Sequence, residues 1–592
     1  MSSSDWTFAS TTERARAERG LPWAITVVAG LSFGGALSAM TVKANLGEIS
    51  QYFLVVQDAP VLIALTLFCF VMGVWASHGR TISLPDIAAP RDGLRFTLIA
   101  AALVACIAFV GAQVVYLSFG LSLDEFMADF DAKVFATGRL LAPVPPEWRD
   151  YVPALQPLFI LNIPEHAYWI SFYLPTNGAL RALFVLLGEP TLEGAVLAGI
   201  AVAALYGVAR RLWADRPDAA LVSVVLLVTS SQFLLTAMTP YAMTGHLAFN
   251  MVWLWLFLRD TRASHVAAIV VGFVACGLHQ VVFHPLFVAP FLMSLLWARR
   301  WKLVAFYGVT YAAIGLFWID YWTLVLRAAD ASVAQEANVG MAWFIQRIIG
   351  WSSLSLDSFA VMSRNLFRFA AWQNPAAIPL ALIGLFARRN SIAVNLALGM
   401  VFTLAVMLVV MPFQGHGWGY RYWHGCLGSV SLLAAQGWIY LTDRSTAALR
   451  RPATGLALCA AFSLFVLLPW RCLQVHAFVE PYATAVRAIA QSDAEVVVVD
   501  ASRIWYGIDL SKNDPFLDGP SKTMNLTHLS EQQLKTLCSR YDVAIFDEKD
   551  AERFGIRMVE DSAPELVARN RALRDLMRSL RCGRQFTSPA KT

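Results

Sequence analysis

The stretch GLSLDEFMADFDAKVF, Gly120–Phe135, decides how this chain is read. It gathers four carboxylates, Asp124, Glu125, Asp129 and Asp131, within eight residues. Directly before it, Leu98–Leu117 reads LIAAALVACIAFVGAQVVYL, apolar enough to cross a bilayer. A chain that leaves a membrane and at once collects acids needs a reason. Helical spacing puts Phe126, Phe130 and Val134 on one face, Asp124 and Asp131 on a second, and Glu125 with Asp129 on a third. The segment is therefore expected to be an amphipathic helix on the membrane surface, its acids turned to water or to a cavity. A solvated polar face would account for the acids equally well.

Composition sets the frame around this stretch. The 592 residues are 57% hydrophobic and 15% charged, with a mean hydropathy of +0.55. A soluble chain carries about a quarter charged residues, so this is a polytopic α-helical membrane protein. The net charge of +5 is small, and no basic patch interleaved with aromatics points to nucleic acid. Apolar segments near 22–42, 56–76, 97–119, 193–213, 218–237, 244–259, 265–280, 283–299, 303–324, 373–388, 392–411, 425–441 and 454–471 predict about 13 helices, some shorter than the roughly 20 residues of a straight span. Alternate connections are basic: Arg80, Arg91 and Arg95, then Arg210, Arg211 and Arg216, then Arg259 and Arg262, then Arg299, Arg300 and Lys302, then Arg388 and Arg389, then Arg444, Arg450 and Arg451. The short loops between them, TPYAMT and GLHQVVFHP, have no Lys or Arg. By the positive-inside rule the N-terminus is cytoplasmic, and residues 120–192, 325–372 and everything after about 472 lie outside.

The tail changes character. AEVVVVDAS and YDVAIFDE read as buried strands, and PELVARNRALRDLMRSLRC as a helix with Leu566, Leu573, Met577 and Leu580 on one face. A small α/β domain is expected outside the membrane, where Cys538 and Cys582 either pair or remain two thiols. The other cysteines fall mostly in apolar runs, and none shows a metal-ligand spacing.

Two further runs carry chemistry. MPFQGHGWGYRYWHG places His416, Arg421 and His424 among aromatics in a turn eased by three glycines. An interfacial aromatic belt explains the Trp and Tyr residues, but not an arginine with two histidines. Arginine suits a bidentate grip on phosphate. In GLHQVVFHP, His279 and His284 either face a ligand or are satisfied polar residues between helices. Asp129, Asp131, His246, Glu165 and His166 complete the candidate substrate-binding residues. Acids and an anion grip on one side of a membrane point to group transfer from an anionic lipid carrier, with a carboxylate as general base and cations on the leaving phosphate.

At this point the chain resembles the GT-C glycosyltransferases, in the bacterial branch similar to protein mannosyltransferases and the lipid A aminoarabinose transferase. DEFMADFDAKVFATGRL, WISFYLPTNGALRALF and the late GHGWGYRYWHG carry the resemblance, over about residues 97–471. It implies a GT-C-like catalytic module at 97–471, preceded by a cytoplasmic N-terminus and two extra helices (1–96) and followed by a periplasmic α/β domain (472–592). It implies a polyprenyl-phosphate sugar donor, a lipid, glycan or protein acceptor, and a place in the bacterial inner membrane. Asp124 would be the general base, Glu125 its partner, and Arg421 the contact to the donor phosphate, with His416 or His424 near it. Asp124 and Glu125 are also the candidates for a divalent cation, Mg or Mn, although TPYAMTGH lacks the second acid that many relatives supply there. Two rival readings are a transporter or flippase for a lipid-linked sugar, and a glycan polymerase or ligase using a diphosphate-linked donor. The first expects ionisable groups near helix midpoints, where Asp320 is the main exception to spans almost free of acids.

Overall fold

A backbone that leaves water has to satisfy its own N–H and C=O groups, so apolar segments coil into helices. The computed structural model describes residues 20–41, 49–77, 93–329, 349, 354–387, 390–442, 450–559 and 562–587. Every apolar segment named above lies on helix. Among the described residues, six helices are long and apolar enough to cross a membrane: Ile49–Trp75, Gly93–Val114, Leu192–Leu212, Trp301–Ala328, Ser391–Val410 and Ala453–Ala490. Ile25–Thr41, Pro217–Val228, Arg262–Cys276, Phe283–Trp297 and Ala377–Phe386 are apolar but shorter. The segment read as one span at 218–237 is broken. Pro217–Val228 ends, and Ser230 caps a new helix, Ser231–Thr236, by accepting from the Phe233 amide.

The helices have two distinct ends. At one end the basic turns meet: Arg211 donates to the carbonyls of Leu258 and Arg259, Arg300 pairs with Asp260 at 2.6 Å, and Arg216 reaches the Thr442 hydroxyl. Arg80, Arg91, Arg388, Arg389 and Arg444 lie outside the described residues, as do the side chains of Arg450 and Arg451. The opposite end gathers the loop after residue 120, the helix Leu356–Ala371 and the tail.

The tail holds a parallel sheet in the order Lys522–Asn525, Val496–Val499, Val543–Phe546, Arg584–Gln585. All four residues of the central strand, Val496–Val499, are buried, as expected where a parallel strand is covered on both faces. Cys538 and Cys582 form a disulfide, with Cα atoms 5.5 Å apart. The last predicted helix stops at Ser579, leaving Leu580 exposed rather than on the buried face with Leu573 and Met577. The chain enters this region without a break, on the helix that reaches Ala490. Nor does the sheet stand apart from the loop 120–192. Trp169 donates to the Pro515 carbonyl, Asn513 to that of Leu155, and one apolar core joins Met127 and Phe130 to Met524 and Leu526.

Candidate active site

The acid-rich stretch is a helix, Leu123–Ala136. A helix start leaves backbone donors without partners, and here three groups satisfy them. The Ser122 hydroxyl accepts from the Glu125 amide while the Glu125 carboxylate accepts from the Ser122 amide at 2.9 Å, a capping box. Asp509, from the tail, accepts from the Leu123 amide at 2.8 Å. Lys512 donates to the carbonyls of Gly120 and Leu121 just ahead of the helix. The helix is enclosed between the outer loop and the tail, not laid on a surface. Phe130 sits edge-on to Trp169, and Met127 and Val134 are buried.

Enclosure gives each of the four acids a different environment. Glu125 is spent on the cap and is 1% exposed. Asp129 pairs with Arg181 at 2.6 Å, and the same guanidinium reaches Glu193. Asp131 accepts from the amide and hydroxyl of Ser171. Asp124 turns to Arg421. Its Oδ2 is 2.6 Å from Arg421 Nη1, its Oδ1 is 3.8 Å from His279 Nε2, and Tyr173 lines the same cleft. Burial works against ionisation of Asp124, but Arg421 and His279 outweigh it and hold the carboxyl below the usual range. Glu125 goes the other way: burial pushes it up against the opposing pull of the Ser122 amide and Lys512.

Arg421 is placed by its turn. Gly417 (φ 134°) and Gly419 (φ 61°) take backbone conformations that disfavour a side chain, and a Cβ on Gly417 would lie 2.8 Å from Arg421 Cδ. Gln414 ties the turn, accepting from the Arg421 amide and donating to the Gly419 carbonyl. The rings of Tyr241 and Tyr422 each lie 5.0 Å from the guanidinium. The buried Nε of Arg421 has no hydrogen-bond partner.

The Asp124–Arg421 pair stands between two spaces. Asp124 and Asp131 border a small cleft with Tyr173, Asn177, Tyr241 and His279 on its walls. Arg421 borders a second, small cavity between helices, lined by His246, Asn250, Phe283, Phe287 and Tyr422. His279 stacks on Tyr173 with centroids 4.4 Å apart. Its two ring nitrogens, both nitrogens of His246 and the Asn177 carbonyl oxygen are buried without hydrogen-bond partners, an unusual concentration for buried polar atoms.

Other expected residues lie elsewhere. His284 is satisfied between Asn250 and Tyr311 at 2.8 and 2.9 Å, a packing role. His416 turns to the tail, 3.7 Å from Asp509, and burial followed by Arg421 pulls it down to about 3. His424 is fully buried and borders neither space. Glu165 and His166 occupy left-handed backbone positions in the outer loop, away from both. Sequence reasoning passed over Tyr173, Asn177, Tyr241, Asp509 and Lys512. The capping box was legible as Ser122-x-x-Glu125, and nothing in the tail's local pattern marks Asp509 or Lys512.

The adjacent carboxylates do not converge on a cation. One oxygen of Asp124 is taken by Arg421 and Glu125 faces the helix cap, whereas a hard divalent ion needs several oxygens around one point. Among the described residues, no group of three or more His, Cys, Asp or Glu is arranged to hold a metal.

No protein-family model matches the chain, and no curated protein matches it. Among solved structures it is similar to ArnT from Cupriavidus metallidurans bound to undecaprenyl phosphate, with a TM-score of 0.46 and 13% identity over 72% of this chain and 86% of that one. For the apo state of that protein the TM-score is 0.44, with 12% identity over 71% and 84%. A likeness this loose carries nothing about chemistry, which has to come from the geometry of the site.

Proposed function

We propose that the chain is a GT-C-type membrane glycosyltransferase, moving a sugar from a polyprenyl-phosphate donor to an acceptor hydroxyl on the outer face of a bacterial inner membrane. Asp124 is the general base and Arg421 the grip on the donor phosphate. One observation carries the reading: two residues 297 apart in sequence are buried in contact, with a polar cleft on one side and an interhelical cavity on the other. A lipid-linked sugar phosphate needs a cation at the phosphate and a base beyond the sugar, and this contact brings one candidate for each together.

With no substrate between them, Arg421 and Asp124 neutralise each other. The donor phosphate, with more negative charge and more acceptor oxygens, competes for the guanidinium. Asp124 then loses its cationic neighbour, its proton affinity rises, and it becomes a stronger base. The acceptor O–H proton passes to the Asp124 carboxylate as the acceptor oxygen bonds to the anomeric carbon. The carbon–oxygen bond to phosphate breaks, and the phosphate departs with the electron pair towards Arg421. His279 and Tyr173 orient Asp124, and Glu125 fixes the helix turn that carries it. Charge stabilisation comes from Arg421 rather than from a divalent cation.

Two observations support an outer-face site. The basic turns collect at the end away from it, as expected of the cytoplasmic end, and the Cys538–Cys582 bridge belongs in an oxidising compartment. The test is turnover by the purified chain in nanodiscs, offered polyprenyl-phosphate sugars, with wild type and Asp124→Asn side by side. Wild type should release polyprenyl phosphate, and the variant should be slower by about 10²–10⁴-fold. Equal rates would remove Asp124 from the role. Turnover with diphosphate-linked donors alone would favour a polymerase or ligase.

A further inference from the structure

A second set of charges lies at the same end of the bundle and takes no part in the scheme above. Asp58, on the helix Ile49–Trp75, accepts from Arg368 Nε at 2.9 Å through one oxygen. Through the other it accepts from Arg471 at 2.9 Å and from the Trp372 indole at 2.7 Å. All three charged side chains are 0% exposed. One acid and two arginines leave a net positive charge in the interior, which is expensive unless the spare donors are used. Some are, although Arg368 Nη1 and Arg471 Nε have no hydrogen-bond partner. Arg471 donates to the carbonyls of Gln57 and Ala371 and lies 4.1 Å from the Trp372 ring centre, and Arg368 lies 5.0 Å from that of Phe53.

The remaining bond gives the cluster a consequence. Arg368 Nη2 donates to the Gly417 carbonyl at 3.1 Å. Gly417 is the residue whose Cα lies against the Arg421 side chain. Its neighbour Trp418 packs on Phe53 and Trp372, with ring centres 5.2 and 5.8 Å away, so the same helices hold the turn from two directions.

We infer that Asp58 is a positioning residue for the candidate active site: through Arg368 it fixes the Gly417 carbonyl, and with it the direction in which Arg421 points. The helix that carries Asp58 is one of the two that precede the resemblance to glycosyltransferases, and this gives it a task. The functional half of the inference rests on Arg421 as the phosphate grip. The structural half does not.

The experiment reads the two halves separately, on the full chain in nanodiscs. Hydrogen exchange is followed for peptides covering residues 414–426 and, as an internal reference, the strands Val496–Val499 and Val543–Phe546. Binding of undecaprenyl phosphate is measured on the same samples. Arg368→Lys keeps the charge beside Asp58 but cannot also reach Gly417 through a planar fork. Exchange in 414–426 should rise about tenfold, the size expected for one lost hydrogen bond to a charged group, with the strands unchanged. Undecaprenyl phosphate should bind more weakly, and Arg421→Ala should cost less binding in the Arg368→Lys background than in wild type. Unchanged exchange in 414–426 overturns the inference, as does a rise shared by the strands, which would mean plain loss of fold. If wild type binds no polyprenyl phosphate while Arg368→Lys still loosens the turn, the phosphate grip fails and the positioning stands. Trp372→Phe removes only one donor from Asp58 and should give the same local pattern at smaller size, a check that survives if Arg368→Lys does not fold.

Discussion

Two of the aspartate–arginine contacts at one end of this bundle differ in what surrounds them. Asp124 and Arg421 are 2.6 Å apart and Asp58 and Arg368 are 2.9 Å apart, so distance does not separate them. Asp124 and Arg421 each retain 9% side-chain exposure and each borders a space. Asp58 and Arg368 are sealed, and they are tied to a second arginine, an indole and a backbone carbonyl. A pair with an open side can exchange its partner for a substrate. A sealed one can only hold shape. On the proposed reading the first serves chemistry and the second architecture, although the residue types are the same. The transporter reading would need the sealed charges to line a path, and they are instead bonded to one another.

That contrast can be broken in four ways. The largest effect is expected at the open pair: Asp124→Asn should lower turnover by about 10²–10⁴-fold with little change in unfolding midpoint, since water from the cleft can solvate the released guanidinium. At the sealed pair the pattern reverses. Asp58→Asn leaves two buried arginines without their acid and should cost about 3–5 kcal/mol of stability, read as a lower midpoint in detergent. A loss below about 1 kcal/mol, the scale of an exposed pair, would show that these charges are not sealed. Arg421→Lys comes next, retaining charge but losing two parallel donors, and should lower turnover per folded molecule by about tenfold or more. Wild-type rates there would reduce Arg421 to a point charge.

The smallest effect concerns an acid with no cation at all. Burial pushes Asp131 up to about 7 against its two bonds from Ser171. Its native pKa then lies above the unfolded value of about 3.9, so the native state holds a proton that the unfolded chain has released. Stability is therefore full below about pH 4 and declines as pH rises towards about 7. Asp131→Asn should flatten that decline, visible as a midpoint that varies less than that of wild type between about pH 5 and pH 8.

Much of the scaffold was legible because it depends on local pattern. Period and length placed helices on every apolar segment, and runs such as VVVV and VAIF placed the strands at 496–499 and 543–546. The acid helix was legible too, down to its cap had Ser122 and Glu125 been read as a pair. Asp58 lies inside an apolar run, where an acid is as notable as Asp320. Less legible was which of four neighbouring carboxylates does chemistry. Helical spacing grouped Asp124 with Asp131, and both do border one cleft, but Ser171 is the partner of one and Arg421 of the other. The expected company of Arg421 also changed: His416 turned to Asp509, while Tyr241 and Tyr422 took the places beside the guanidinium.

The sequence by itself determined that this chain is helical and apolar, that its basic turns alternate with neutral ones, and that acids follow the third apolar run. These follow from backbone hydrogen bonding and the period of hydrophobic residues, which act over a few turns of chain. Only the tertiary structure decided that Asp124 meets Arg421 across 297 residues, that the tail supplies Asp509 and Lys512 to the same helix start, and that Asp58 holds the turn behind Arg421. The physical reason is that a carboxylate's role depends on which cation, amide or cavity faces it, and those partners arrive from segments whose local patterns say nothing about where they meet.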